Sequence, residues 1–428
     1  MISVGDASAR ILEEIKPLEA EKVELERAAG RVLAARVVAE TTSPPWDNSS
    51  MDGYAVRGAD IVAAEKQHPP TRRSAEGGDP PSLRVVATIA AGSIAIRPLG
   101  AGEAMRIMTG APMPVGADTV IRIEDTDGGA DRVAILEFRD LLRNVRRAGE
   151  DFRAGDLLFE PGTEVRAPHL GVLASAGIRS VSVRRRPRVA LVTSGDELVE
   201  LRDYTSAVAG LKIVSSNSWT LPQLVHEAGG LPVDLGIAND TRQSLHEKLE
   251  RAIDCDFIIT SAGISVGDLD NVRSVFAEMG GRLTFWKVSM RPGAPMAFGS
   301  LHGIPWLGLS GNPVSAIVSF EVFGRPVIRK MLGYEKLHRT LIPVRLGEPV
   351  EIAAPLTHFL RATVTRGHDS EYVAHLAGSQ SSAVLTAMAR ANALLVVPAD
   401  RPSNPPGTVL HAIPLTNDLD MSAELGIQ

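Results

Sequence analysis

The sequence predicts a multidomain protein of mixed class, in which a doubly wound α/β domain lies between small β-rich domains. Its 428 residues exceed what one ordinary core accommodates and favour roughly two to four domains. Between residues 188 and 330, strand-like apolar runs alternate with helical patterns, which is typical of a parallel sheet covered by helices. On either side, short strand-like runs separated by turn residues predict β-rich structure.

The composition is that of a globular protein and excludes several classes of function. A net charge of −6 and a pI of about 6.0 argue against a broad basic surface for nucleic acid or an anionic membrane. Cys255 is the only cysteine, which excludes an intrachain disulfide and a cysteine-rich zinc site. No run approaches the ~20 apolar residues of a membrane span, and the N-terminus has no signal-peptide pattern, so we expect a cytoplasmic protein.

Residues 1–44 and 141–180 are predicted to form an N-terminal helical and linker domain. Apolar residues recur at helical spacing in residues 3–16, and further helices are expected over residues 25–35 and 168–176. Tandem prolines and polar residues between 41 and 53 exclude a helix there and predict an ordered functional loop.

Short strands predict two β-rich domains, at residues 45–140 and at residues 334–428. The strands expected in the first domain are 83–89, 103–108, 119–123 and 133–136. In the second, strands at 341–346 and 394–397 are expected, with a helix at 382–390 between them.

Residues 181–333 are predicted to form the α/β domain. The expected strands are 189–193, 233–237, 256–260 and 304–309, and the expected helices are 219–228, 240–252 and 314–332. The basic run Arg184-Arg185-Arg186-Pro187-Arg188 marks the start of this domain. A solvated linker is favoured over a phosphate patch there, because no aromatic residues interleave with the arginines.

Three of the predicted strands end in loops rich in Ser, Thr and Gly. These loops are residues 194–198, 261–270 and 310–313. The carboxyl ends of parallel strands share one edge of a sheet, so the three loops are expected to line one crevice. Peptide N–H groups at a helix N-terminus bind anions, which predicts a phosphate-like ligand, with Asp268 and Asp270 placed to hold a phosphate-bound metal.

Each of these residues also has an ordinary structural interpretation. Asp240 and Asp270 could cap helices, Asp52 before Gly53 fits a turn, and Glu197 fits the first turn of a helix. Lys287 and Arg291 could be solvated strand charges.

The combination of motifs is more specific than any one of them. Six segments, residues 41–56, 106–114, 194–198, 261–270, 286–295 and 310–315, together closely resemble the molybdopterin molybdenumtransferase family, which includes the E domain of gephyrin. The resemblance runs from about residue 3 to 415 in the family's motif order. It implies insertion of molybdate into adenylylated molybdopterin with release of AMP, assisted by a divalent cation such as Mg²⁺. It also implies an elongated homodimer of four domains, whose active cleft lies between the third domain and N-terminal parts of the partner chain.

Site residues follow from the resemblance, residue by residue. The implied catalytic residues are Asp52, Thr109, Asp151, Glu197, Asp240 and Asp270, and the implied metal ligands among them are Glu197, Asp240 and Asp270. The implied positions for the nucleotide, the pterin and anions are Gly263, Ser265, Gly267, Lys287, Arg291, Ser310, Gly311, Asn312 and Pro313. The chain departs from the family at Ser215, where an acid is common, at Ala262, where Gly is common, and at Ala294 and Arg291, where Lys is common.

The implied chemistry is physically coherent. Five acids facing a pyrophosphate and molybdate would repel them, and a cation held by carboxylates and phosphate oxygens reverses that sign. The residues do not decide which acid binds metal and which positions water. Molybdopterin adenylyltransferase and a non-catalytic pterin-binding scaffold are the alternatives; the motifs at Asp52 and Thr109 count against the first. Expected partners are a second copy of the chain, molybdopterin adenylyltransferase and apo-molybdoenzymes.

Overall fold

The structure is a computed structural model that describes residues 1–67, 80–210, 212–261, 275–367, 371–416 and 419. Its first helix, Val4–Glu14, is capped by Ser3, whose hydroxyl accepts a hydrogen bond from the Asp6 N–H. The helix buries Ala7 and Ile11 in the core of the α/β domain. By packing, this helix therefore belongs with the α/β domain, although its sequence lies in the predicted N-terminal domain.

The helix predicted over residues 25–35 is wrong. Only Leu25–Arg27 is helical, as a 3-10 turn. The chain beyond it is extended: Val32 forms a bridge with Glu164 and Leu33 with Val183, and both apolar side chains are buried. Pairing with distant segments therefore overrides the helix propensity of this Ala-, Arg- and Leu-rich stretch.

The rest of the N-terminal region is built from two-stranded antiparallel pairs around the helix Ala167–Ser175. The pairs are Ala20–Glu24 with Ser180–Arg184, Val37–Val38 with Leu157–Phe159, and Asn48–Ser49 with Val145–Arg146.

A five-stranded sheet follows, and the helix Gly58–Gln67 comes directly after its strand Gly53–Val56. The strands, in their order across the sheet, are Thr119–Arg122, Gly53–Val56, Glu103–Ile107, Ser82–Ile89 and Arg132–Ala134. A 3-10 turn, Ile123–Asp125, follows the edge strand. The predicted strands of this region are confirmed to within two residues at each end.

The α/β domain contains a six-stranded sheet. Its strands are β1 (Arg188–Ser194), β2 (Leu231–Ala238), β3 (Phe257–Ser261), β4 (Arg282–Trp286), β5 (Ala297–Leu301) and β6 (Ile304–Leu309). Their order is β2-β1-β3-β6-β5-β4; the first four are parallel and the last two are added antiparallel, so the sheet is mixed.

Both faces of this sheet are buried under helices. Val189 and Leu191 of β1 pack with the helix Asn217–Glu227, whereas Ala190 and Val192 pack with the helix Arg242–Ala252. The other helical segments are Leu201–Asp203 (3-10), Tyr204–Val208, 275–278, Pro313–Ser319, a π-helical turn Phe320–Gly324, and Arg325–Met331. Two short parallel strands, Leu198–Val199 and Ile213–Val214, lie outside the main sheet. The doubly wound arrangement is confirmed.

The C-terminal domain is a small closed barrel. Its strands, in order around the barrel, are Thr357–Arg366, Tyr372–Leu376, Ile342–Leu346, Val409–Pro414 and Ala393–Val397, and the last pairs with the first. The helix Leu385–Arg390 and the strand pair Val350–Glu351 and Ser403–Asn404 complete it. The short strand Met290–Arg291 extends from the α/β domain and pairs with Thr357 and His358, so the two domains share a sheet.

The basic run at the start of the α/β domain is not a fully solvated linker, because Arg185 is paired with two acids. Arg185 donates from both terminal nitrogens to the Asp256 carboxylate at 2.6 and 2.5 Å, and also pairs with Glu19. Burial raises the pKa of Asp256, but the hydrogen bonds from Arg185 and from the Arg188 N–H outweigh it and leave that pKa lowered. Arg185 therefore fastens the N-terminal region to the start of β3.

Within the described part of the chain, no helix has the length and apolar character needed to cross a membrane.

Candidate active site

Three neighbouring parallel strands end side by side at one edge of the α/β sheet. Thr193 of β1 lies opposite Ser261 of β3, and Ser261 lies opposite Leu309 of β6. The loops that follow these strands therefore begin at the same level, and the predicted shared edge is confirmed. This edge is where open α/β sheets bind ligands.

Asn217 ties two of the strand ends together. Its side-chain amide donates to Ser261 Oγ at 2.6 Å and to the carbonyl of Gly311 at 2.9 Å. Asn217 is 5% exposed, and its Oδ1 has no hydrogen-bond partner. Asn217 is not among the implied site residues, although it lies two positions after Ser215, where the chain departs from the family.

The segment Ser310-Gly311-Asn312-Pro313 forms the turn that leads from β6 into the helix Pro313–Ser319. Ser310 Oγ accepts a hydrogen bond from the Asn312 N–H at 3.4 Å, and the N–H of Val314 donates to the carbonyl of Ser382 in the barrel domain. The turn is therefore a helix N-terminus, the type of site that binds anions, and the barrel domain reaches it.

Two acids at the ends of β1 and β2 hold each other's loops in place. The Asp196 N–H donates to Asp240 Oδ2 at 3.2 Å, and the Asp240 N–H donates to Asp196 Oδ1 at 3.0 Å. The helix cap is Thr241, whose side chain accepts from the Ser244 N–H, so the interpretation of Asp240 as the N-cap is wrong. Asp196 lies in the predicted loop 194–198 but is not among the implied site residues.

Glu197 is exposed and folds back over Gly195. Gly195 has φ +149°, and a Cβ added to it would lie 2.6 Å from Glu197 Oε2. Only a residue without a side chain leaves the Glu197 carboxylate this position. The structure thus brings Glu197, Asp196 and Asp240 to the same end of the sheet.

A cavity of about 680 Å³ opens beside the Ser310 turn, between the α/β domain and the barrel domain. Arg291, Ser310 and Asn312 line it from one side and Arg361 and Gln380 from the other. Lys287 is not among its lining residues; it is exposed, has φ +66°, and its N–H donates to the carbonyl of Met296.

Arg361 lines this cavity but is not among the implied site residues. It is fully buried, and its Nη2 donates to the carbonyls of Ser379 and Ser381, both at 3.2 Å. In the described part of the chain, its Nε and Nη1 have no hydrogen-bond partner, and burial lowers the pKa of the guanidinium. A buried cation with unpaired donors beside a polar cavity is suited to an oxyanion. The available signal was a lone arginine inside an otherwise apolar strand pattern.

Asp52 and Thr109 meet on the five-stranded sheet. Asp52 Oδ1 accepts from both the N–H and the hydroxyl of Thr109, each at 2.7 Å. These two hydrogen bonds lower the pKa of Asp52, so the carboxylate is ionised at neutral pH. Both residues are exposed, and this pair lies on a different sheet from Glu197 and Asp240. Asp151 is also exposed, and its N–H donates to the carbonyl of Ser43.

Four of the implied site residues, Gly263, Ser265, Gly267 and Asp270, lie outside the described residues, as does Asp268, the other acid predicted to hold a phosphate-bound metal. Within the described ranges, no group of three or more His, Cys, Asp or Glu side chains is arranged to hold a metal ion. Mg²⁺ does not require such a cage, because it keeps several waters and binds one or two carboxylates together with substrate phosphates. The exposed carboxylates at this edge fit that mode of binding.

Comparison with known proteins gives a consistent result along the chain. Three family models match it: the MoeA N-terminal region (domain I and II) at residues 2–177, a probable molybdopterin binding domain at 190–330, and the MoeA C-terminal region (domain IV) at 343–415. A molybdopterin molybdenumtransferase of Nostoc sp. is 36% identical over 93% of this chain and 90% of its own length. The chain belongs to the molybdopterin molybdenumtransferase family.

Other relatives and solved structures agree with this membership. Molybdopterin molybdenumtransferase 2 of Mycobacterium tuberculosis is 36% identical over 97% of this chain and all of its own length, and the Bacillus subtilis relative is 33% identical. The crystal structure of the molybdopterin biosynthesis MoeA protein from Pyrococcus horikoshii superposes with a TM-score of 0.80 at 26% identity, covering 97% of this chain and all of that one. Membership therefore rests on the full length, including the N-terminal and barrel domains.

Proposed function

We propose that this chain inserts molybdate into adenylylated molybdopterin and releases AMP, as a transferase of the molybdopterin molybdenumtransferase family. The observation that carries the proposal is the shared edge of the α/β sheet, where Glu197 follows β1 and where Asn217 joins Ser261 to Gly311 beside the cavity that Arg361 lines. One end of this edge is acidic and the other is cationic. Such an edge suits a substrate with a phosphoanhydride at one end and an oxyanion acceptor at the other.

The cationic end is proposed to hold molybdate. Arg291 and Arg361 lie on opposite sides of one cavity, and a guanidinium grips an oxyanion through two N–H groups. Arg291 replaces a lysine that is common in the family, and this substitution preserves the positive charge while presenting the N–H donors in a planar fork. Donors held at fixed positions in a partly buried site stabilise an oxyanion without reorganising during the reaction.

The acidic end is proposed to hold the phosphoanhydride with Mg²⁺. Glu197, Asp240 and Asp270 are the proposed metal ligands, and Mg²⁺ would polarise the phosphoanhydride toward cleavage by water. The loop residues Gly263, Ser265 and Gly267, the turn 310–313 and Lys287 are proposed to bind the nucleotide and pterin phosphates. Asn217 keeps Ser261 and Gly311 in register, so that the loops on either side face the same substrate.

We propose that Asp52, Thr109 and Asp151 act in the active site of the partner subunit of a homodimer. The reason is that the Asp52–Thr109 pair is exposed and belongs to a different sheet from Glu197. The proposed domain division is 1–44 with 141–180, then 45–140, 181–333 and 334–428. Molybdopterin adenylyltransferase as supplier, apo-molybdoenzymes as recipients and a cytoplasmic location remain parts of this proposal.

Two experiments test the proposal. In the first, purified protein is incubated with adenylylated molybdopterin, molybdate and Mg²⁺, and AMP release and activation of an apo-molybdoenzyme are followed. AMP release that needs molybdate and fails in Glu197→Gln supports the transferase. Net adenylylation of molybdopterin by ATP without molybdate would identify the adenylyltransferase instead, and no turnover with either substrate would favour the scaffold.

The second experiment tests the shared site. Asp52→Ala and Glu197→Gln chains, each inactive as homodimers, are co-expressed with different tags, and the mixed dimer is isolated. One of its two sites then contains both native residues, so about half of the wild-type activity is expected. A mixed dimer as inactive as either parent would show that Asp52 and Glu197 act within one chain or not at all.

A further inference from the structure

A separate cavity of about 380 Å³ lies at the junction of the α/β domain, the linker 333–341 and the barrel domain. The helix Arg325–Met331 contributes Arg325 and Arg329, the linker contributes Lys336 and Arg339, and Thr416 follows the last barrel strand. None of these residues lines the cavity beside Ser310. The cavity thus contacts both domains but is distinct from the candidate active site.

Among the described residues that line this cavity, positive charge exceeds negative charge. Four of its lining side chains are cationic, and no carboxylate is among the described residues that line it. Two acids outside the lining act on these cations: Glu321 accepts from Arg339 Nε at 3.1 Å and lies 4.0 Å from Arg325 Nε, and Glu227 also interacts with Arg325. Burial, together with the neighbouring Arg339, lowers the pKa of Arg325.

Two buried polar atoms of the cavity residues have no hydrogen-bond partner among the described residues. They are Arg325 Nε and Thr416 Oγ1. A buried donor without an acceptor is costly, and an anion with several acceptor oxygens would satisfy both. Arg329 stacks on the Tyr334 ring at 3.7 Å and donates to the carbonyl of Lys336, so part of the cluster is already held in place. Fixed donors bind an anion with less loss of side-chain entropy than mobile ones.

We propose that this cavity binds a tetrahedral oxyanion, either free or as the phosphate group of a nucleotide. The binding residues are Arg325, Arg329, Lys336, Arg339 and Thr416. The bound anion would link the α/β domain to the barrel domain through charge-assisted hydrogen bonds. The proposal does not depend on the transferase activity.

Calorimetric titration of the full chain with inorganic phosphate, at constant ionic strength in chloride, tests the proposal. Lys336→Gln and Thr416→Val are the informative variants, because Lys336 is exposed and Val has nearly the shape of Thr. Each variant is expected to weaken phosphate binding about tenfold, since each loses a hydrogen bond to a charged ligand. Lys22→Gln, which removes an exposed charge on the strand Ala20–Glu24, is the matched control and should bind like the wild type.

Arg291→Gln separates this cavity from the active site. It should keep the phosphate binding that Lys336→Gln and Thr416→Val weaken. AMP titrated in parallel distinguishes the source: AMP binding weakened by Lys336→Gln identifies a nucleotide phosphate, and binding of phosphate alone identifies a free anion. The proposal is overturned if phosphate binding disappears in Arg291→Gln, or if both cavity variants bind phosphate like the wild type. Crystals soaked in tungstate give a second measurement, because anomalous scattering would place the anion in this cavity or elsewhere.

Discussion

Replacing Asn217 with Ala should loosen the edge on which the candidate active site is built. The change removes two hydrogen bonds, to Ser261 Oγ and to the Gly311 carbonyl. Each is worth about 1 kcal/mol net, and leaving the fully buried Ser261 hydroxyl without its donor adds about 1 kcal/mol. The free energy of unfolding is therefore expected to fall by about 2–4 kcal/mol.

Asn217→Asp distinguishes hydrogen bonding from shape. The carboxylate has nearly the shape of the amide, but it cannot donate to the Gly311 carbonyl. We therefore expect Asn217→Asp to be at least as destabilised as Asn217→Ala, because it adds an unpaired buried charge. Ser218→Ala is the matched control: the hydroxyl of Ser218 pairs with that of Ser215, which precedes the helix, and its loss should cost about 1 kcal/mol or less.

Urea unfolding followed by circular dichroism measures these free energies, and molybdate-dependent AMP release measures the effect on the site. In Asn217→Ala, kcat should fall more than KM rises, because the loops are misaligned while their own groups are retained. The reasoning is refuted if Asn217→Ala unfolds within about 0.5 kcal/mol of the wild type and keeps full activity, or if Asn217→Asp behaves like the wild type.

Arg361→Met should leave stability unchanged or raise it by about 1 kcal/mol, because it removes a buried charge with unpaired donors. It should also lower activity about 100-fold. A loss of stability in thermal unfolding would contradict the anion-site interpretation. Gly195→Ala should displace the Glu197 carboxylate and raise the Mg²⁺ concentration needed for half-maximal activity about tenfold, whereas an unchanged Mg²⁺ titration would exclude Glu197 as a ligand. Asp256→Asn should lower the free energy of unfolding by about 2 kcal/mol at pH 7, after allowance for the partial exposure of its ion pair with Arg185. Because folding lowers the pKa of Asp256, this contribution is present above the unfolded pKa and disappears as the pH falls through the folded one; a difference from the wild type that persisted at pH 2 would contradict it.

Local pattern was sufficient for most of the secondary structure. The strands β1, β3 and β6 were predicted because each is a short apolar run followed at once by small and polar residues. The shared edge followed from the general behaviour of parallel strands, without knowledge of any contact. The prediction failed at residues 25–35, where a stretch with helical propensity pairs as extended chain with residues 163–183. Propensity reports only local preference, and there the burial of Val32 and Leu33 outweighs it.

The hydrogen-bonding roles of single polar residues were harder to predict from the sequence than the secondary structure. Asp240 matches a capping pattern, yet the cap is Thr241, and Asp240 exchanges hydrogen bonds with Asp196, 44 positions away. Arg185 belongs to a basic run that is typical of a solvated linker, but it is paired with two acids from distant segments. In both cases the partner is remote in sequence, and composition near the residue carries no information about it.

The sequence by itself determined the class of fold, the family resemblance and the kinds of group at the site, because each depends on periodicity or on short motifs. Only the tertiary structure decided that Asn217 joins two strand ends, that Arg361 reaches the Ser310 cavity from another domain, and that a second basic cavity exists at the domain junction. The physical reason is that these features depend on burial and on contacts between distant segments. Asn217, for example, is 44 positions from Ser261 and 94 from Gly311. Folding of the whole chain sets such contacts, and the local sequence does not.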